Sequence, residues 1–95
     1  MTSKQRAYLK SLAMTMDPVA QIGKASLTDE GLKGLEEALE ARELIKIAVL
    51  KNCGDDVRMV GDAIAKRLHG EVVQVIGRRI VLYRPAREKD KRKLV

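Results

Sequence analysis

The sequence predicts an α/β (α+β) domain of three helices and a four-stranded mixed sheet, in the order α-β-α-β-α-β-β. Apolar residues recur at helical spacing in three stretches, Leu9 to Met16, Leu32 to Leu39 and Val57 to Leu68. Short β-rich runs, "VAQI", "LIKIAVL" and "EVVQVI", follow those stretches or separate them. Gly77-Arg78 then sits between two β-rich runs, where a two-residue hairpin turn fits. Two β-α-β crossovers, right-handed by the usual rule, would bring three strands parallel, and the hairpin adds an antiparallel fourth. The pattern leaves open the strand order and the sheet face covered by the first helix.

The first helix covers "SKQRAYLKSLAMTM". Thr2 and Gln5 have the spacing of a capping box, and Leu9, Leu12, Ala13 and Met16 form the apolar stripe. Asp17-Pro18 is the expected stop, because proline disfavours helical backbone at the residue before it. "VAQI" lies between Pro18 and Gly23 and reads as a short strand. Thr28 is the N-cap of the second helix, with Asp29 and Glu30 in the first turn, where negative charge suits the dipole. Leu27 and Leu32 form a hydrophobic staple; Leu32, Leu35 and Leu39 continue inward, and Glu36, Glu37 and Glu40 read as the solvated face.

In "LIKIAVL" both faces are mostly apolar, as in a central strand covered on both sides. "NCGDD" is a turn and cap before a helix from Asp56 to Leu68, and Gly70 is the expected left-handed residue after His69. The hairpin turn at Gly77 is of the type that wants glycine first. From Arg84 to Lys93 there is no apolar period, and basic residues dominate. Residues 1–85 are therefore read as one domain and 86–95 as a mobile basic tail.

The 95 residues suffice for one domain, and a hydrophobic fraction of 45% supports a folded core. That core must be aliphatic, since Phe and Trp are absent and the tyrosines are Tyr8 and Tyr83. A formal net charge of +6 favours a polyanionic partner. Cys53, the only cysteine, has no disulfide partner within the chain, which fits a reducing compartment. "MTSKQRAYLK" lacks the apolar core of a signal peptide, and the apolar runs are far too short for a membrane span, so a cytoplasmic protein is expected.

Catalysis is disfavoured. His69 is the only histidine and stands at a helix C-terminus, where a cation is structurally ordinary. Cys53 has no activating neighbour in sequence. No metal site and no cofactor is expected, because the carboxylates are spread along helix surfaces.

The loop "GKAS" reads differently. Gly23 would allow positive φ and a close ligand approach. Lys24 adds charge at the tip, Ser26 a hydroxyl, and the following helix start a partial positive charge. Such groups contact sugar-phosphate and do not read base edges. Lys4, Arg6 and Lys10 would join Lys24 if the first helix leads directly into the first strand. With so few aromatic rings to stack bases, recognition would rest on backbone charge and shape, with steep salt dependence.

Four segments, "MTSKQRAYL", "PVAQIGK", "ALEARELIKI" and "QVIGRRIVLYRP", span nearly the whole chain. Together they resemble the stand-alone CRM domain (chloroplast RNA splicing and ribosome maturation) in its bacterial YhbY-like form. The resemblance implies a fold similar to the C-terminal domain of translation initiation factor three. It also implies non-catalytic RNA binding, with ribosomal RNA of large (50S) subunit precursors as partner. The family's RNA contact is attributed to a G-x-x-G loop, usually "GKGG", with nearby basic residues. Here Gly23 and Lys24 match, whereas Ala25 and Ser26 replace the last two glycines. If either position needs positive φ, the side chain costs roughly 1 kcal/mol. The expected RNA-binding residues are Lys4, Arg6, Lys10, Gly23, Lys24, Ala25, Ser26 and Arg42, in a monomer with no membrane partner. The alternative is a protein-interaction module recruited to the ribosome without touching RNA.

Overall fold

A computed structural model of the chain describes residues 1–88, so most of the expected tail lies outside the described residues. The elements are α1 (Ser3–Ala13), β1 (Ala20–Ile22), α2 (Asp29–Arg42), β2 (Leu44–Val49), α3 (Val57–Leu68), β3 (Glu71–Ile76) and β4 (Arg79–Tyr83). This is the predicted order. The predicted caps form as well: Thr2 and Gln5 bond reciprocally, and the Thr28 and Asp56 side chains accept from the Gly31 and Met59 N–H groups.

The sheet order is β1-β2-β4-β3. β1 runs parallel to β2, with Ile22 opposite Val49, and β4 is antiparallel to both β2 and β3. Three strands thus share a direction, as expected, but the last strand inserts between β2 and β3. A register shift between Val72 and Gln74 bulges β3 at Val73.

α2 and α3 cover one face. Leu35, Leu39, Val60 and Ile64 meet Ile45, Ile47, Ile80 and Leu82 there, all nearly inaccessible to solvent. α1 covers the other face, where Leu9 and Ala13 pack on Leu44, Val73 and Val81. α1 is too short to cover this whole face. Leu44 is buried beneath it, whereas Lys46 and Ala48 farther along β2 are only half-buried. The expectation of a strand covered on both sides therefore holds for only part of β2.

Three local expectations are corrected. α1 ends at Ala13 instead of running to Asp17, and Met14 is exposed. The intervening residues carry the chain from the α1 face to the sheet edge, where the Val19 N–H donates to the Lys46 carbonyl at 2.8 Å. The left-handed residue after α3 is His69, at φ 58°, and not Gly70. Gly70 serves close approach instead: a Cβ there would lie 3.2 Å from the Tyr83 carbonyl oxygen. At the hairpin, by contrast, Gly77 does take positive φ, at 56°.

The third correction lies at the chain's end. Arg84 is buried; its Nη1 donates to the Leu68 carbonyl, and its guanidinium pairs with Glu36 and Glu40. Arg87 also pairs with Glu36. Glu40 accepts from the Arg87 and Glu88 N–H groups, and buried Glu43 accepts from that of Ala86. Glu36 and Glu40 are thus not a merely solvated face, and packed structure continues past residue 85 to Glu88.

Candidate nucleic-acid interface

The C-terminal ends of β1 and β2 and the β3–β4 turn lie together. The Leu50 N–H donates to the Ile22 carbonyl at 2.8 Å, and the Val49 N–H to the Arg78 carbonyl at 2.7 Å. Arg78 returns two bonds, from Nε to the Val49 carbonyl and from Nη2 to the Leu50 carbonyl. A Cβ at Gly23 would touch the Asn52 and Leu50 side chains at ordinary contact distance. Lys24, Lys51 and Arg78, all exposed, therefore stand on three adjoining segments at one end of the sheet. Lys24 and Lys51 have no ion-pair partner among the described residues.

Within the loop the geometry differs from the expected one. Gly23 does not take positive φ; Ser26 does, at 54°. The Ser26 N–H donates to the Gly23 carbonyl at 2.9 Å, closing a tight turn. The Ser26 hydroxyl donates to Asp55 Oδ2 at 2.5 Å, and buried Cys53 offers its thiol to the same hydroxyl oxygen at 3.8 Å. The expected spare donor at Ser26 is therefore spent on a carboxylate. Ala25 is exposed at the tip beside Lys24. The start of α2 is not a bare anion seat either: Thr28 caps it, and Asp29 and Glu30 stand exposed in its first turn. Asp55, Asp29 and Glu30 make the α2 side of this loop acidic, so the positive side is the one toward Lys51 and the hairpin.

The remaining sequence-derived candidates do not gather round Lys24. Arg6 is half-buried, and its Nη1 donates to the Val72 and Val73 carbonyls at 2.9 and 2.8 Å. Those carbonyls flank the β3 bulge, so Arg6 has a structural task, tying α1 to β3. Lys10 is one turn further along the same flank of α1, and Lys4 is exposed on its outer surface. Arg42 closes the 14-residue α2, about 20 Å from that helix's start, and is remote from the loop.

Sequence reasoning missed four cations. Lys46 and Arg79 lie on the sheet face that α1 leaves uncovered, since Ala48 pairs with Arg79 and Lys46 with Val81. With Lys51 and Arg78 they line a groove of about 450 Å³. One signal was available: Lys46 breaks an otherwise apolar face of "LIKIAVL", which is odd for a fully covered strand. No carboxylate lines the groove. Cations beside apolar surface suit an anion that also carries flat or apolar groups. Among the described residues no group of three or more His, Cys, Asp or Glu is placed to hold a metal ion, and no helix is long and apolar enough to cross a membrane.

Residues 1–84 match the family model described as the CRS1 / YhbY (CRM) domain. The chain is 44% identical over 88 residues to a Bacillus subtilis protein named "Probable RNA-binding protein YqeI", covering 93% of this chain and 92% of that one. It is 36% identical over 88 residues to a Haemophilus influenzae protein named "RNA-binding protein", covering 93% and 89%. The solution structure of protein SAV1595 from Staphylococcus aureus superimposes with a TM-score of 0.80 at 41% identity, covering 100% of this chain and 99% of that one.

Proposed function

This chain belongs to the CRS1 / YhbY (CRM) domain family, and from that premise we propose that it is a non-catalytic RNA-binding protein. Its partner in this reading is ribosomal RNA in precursors of the large (50S) subunit, met in the cytoplasm by a monomer. The observation that carries the reading is the convergence of Lys24, Lys51 and Arg78 on three adjoining segments, next to Lys46 and Arg79. RNA-binding names on relatives covering about nine-tenths of the chain support it.

Physically, each cation that neutralises a phosphate releases condensed counterions, which gives affinity without sequence preference. Arg78, held by two backbone carbonyls, presents its remaining donors at little entropic cost. Gly23 and Ala25 keep the surface around Lys24 low, so a phosphate can approach the backbone. Ser26 acts through the loop's shape and not as a ligand. Lys10 and Lys4 extend the positive field along α1. Arg6 contributes chiefly by seating that helix, and Arg42 lies outside the contact.

Crosslinking in cells, followed by sequencing of the attached RNA, tests the assignment. Enrichment of large-subunit precursor RNA is the expected result. Hits scattered over messenger RNAs, with no ribosomal precursor enriched, would overturn the assembly role.

A further inference from the structure

We propose that the groove on the uncovered half of the α1 face holds an unpaired nucleotide of the bound RNA, so that the protein favours loops and bulges over continuous duplex. This rests on the RNA-binding reading above and adds to it a second contact, to a base. The floor is aliphatic, made by Ala48, Leu50, Ile76 and Val81. Ile76 is 57% exposed and Leu50 38% exposed, although both are large apolar side chains. Lys46 and Arg79 project from the same face, and Lys51 and Arg78 stand at its edge, continuous with the loop end that carries Lys24.

Charge complementarity identifies the occupant. Four cations and no carboxylate line the groove, and Lys46, Lys51 and Arg79 have no ion-pair partner among the described residues. A volume of about 450 Å³ falls in the range of small-ligand sites. A nucleotide satisfies both halves of the surface, with its base on the aliphatic floor and its phosphates on the lysines. The scarcity of aromatic rings does not prevent stacking, because an arginine guanidinium plane serves as a base platform. Arg79 is exposed and has no described hydrogen bond that would pull its plane away. The chain's own end is a poor occupant: "KDKRK" is itself basic, and Glu88 is held on the opposite side of the sheet by Glu40 of α2. A duplex presents phosphates but no free base face, so it engages the cations and leaves the apolar floor unused.

The test compares an RNA hairpin bearing an unpaired loop with a blunt duplex of equal length, by fluorescence anisotropy. The variants are Ile76→Ser and the charge-preserving Arg79→Lys. Both positions are exposed, and urea unfolding verifies that each variant folds. The expected result for Ile76→Ser is a three- to tenfold loss of affinity for the looped RNA, with duplex affinity and salt slope unchanged; Arg79→Lys, which keeps the charge but not the plane, weakens the looped RNA more than the duplex. Lys24→Ala, in the same assay, weakens both RNAs. If Lys24→Ala weakens both while Ile76→Ser and Arg79→Lys leave the looped RNA unaffected, the base contact is wrong and the RNA-binding reading stands. An acidic peptide that binds the groove without competing with RNA would refute it in the same way. If the wild-type protein binds neither RNA, both readings fall.

Discussion

Ser26 offers a test in which an ordinary rule should reverse. In most positions alanine is better tolerated than glycine, because glycine leaves the unfolded chain more freedom to lose. Ser26 sits at φ 54°, which for an L-residue costs about 1–2 kcal/mol. Ser26→Ala keeps that cost and also loses the hydroxyl bond to Asp55, worth about 1 kcal/mol at a solvent-accessible site. Ser26→Gly loses the same bond but relieves the left-handed cost, offset by about 0.5–1 kcal/mol of extra unfolded-state freedom. The glycine variant should therefore exceed the alanine variant by about 0.5–1 kcal/mol. In urea, with a slope near 1 kcal/mol/M, that is a midpoint difference of about 0.5–1 M. An alanine variant as stable as the glycine variant, or more so, would refute the claim that loop conformation decides the residue at this position.

Other perturbations have expected outcomes of the same kind. Arg84→Met should cost about 1–3 kcal/mol in urea unfolding, because it leaves the Leu68 carbonyl without its buried donor and removes one partner each from Glu36 and Glu40, which keep their bonds to Arg87 and Glu88; hydrogen exchange at Ala86 and Arg87 should rise with it. Arg6→Gln should cost about 1–2 kcal/mol by losing the two bonds to the β3 bulge, and a variant as stable as wild type would remove its structural role. Arg42→Ala should leave both stability and RNA affinity within twofold, as measured by urea unfolding and anisotropy, since its exposed side chain lies far from the cationic end.

The elements were legible because each carried its own local signal. Thr2-Gln5, Thr28 and Asp56 marked helix starts, the apolar stripes marked buried faces, and Gly77-Arg78 marked the hairpin. What stayed hidden depended on which distant segments meet. Strand order was not readable, so nothing in "LIKIAVL" showed that Lys46 would stand beside Val81 and Arg79. Arg6 looked like a free surface cation because its partners, the bulged carbonyls, are 66 and 67 residues away. Glu36 and Glu40 looked solvated because Arg84 returns to them only at the end of the chain. At "GKAS" the motif was visible: the positive φ allowed at Gly23 is not used, and the one raised for Ala25 or Ser26 falls at Ser26.

The cationic end of the sheet is the centre of this account, and salt dependence measures it directly. Purified protein is titrated with bare large-subunit ribosomal RNA over a range of salt, and the logarithm of affinity is plotted against that of salt concentration. Each phosphate contact contributes a slope of about 0.7–0.9. Wild type should bind with a steep slope, and Lys24→Ala combined with Lys51→Ala should make it shallower by about 1.4–1.8. An unchanged slope and affinity in the double variant, or no binding of bare RNA at moderate salt, would contradict the account.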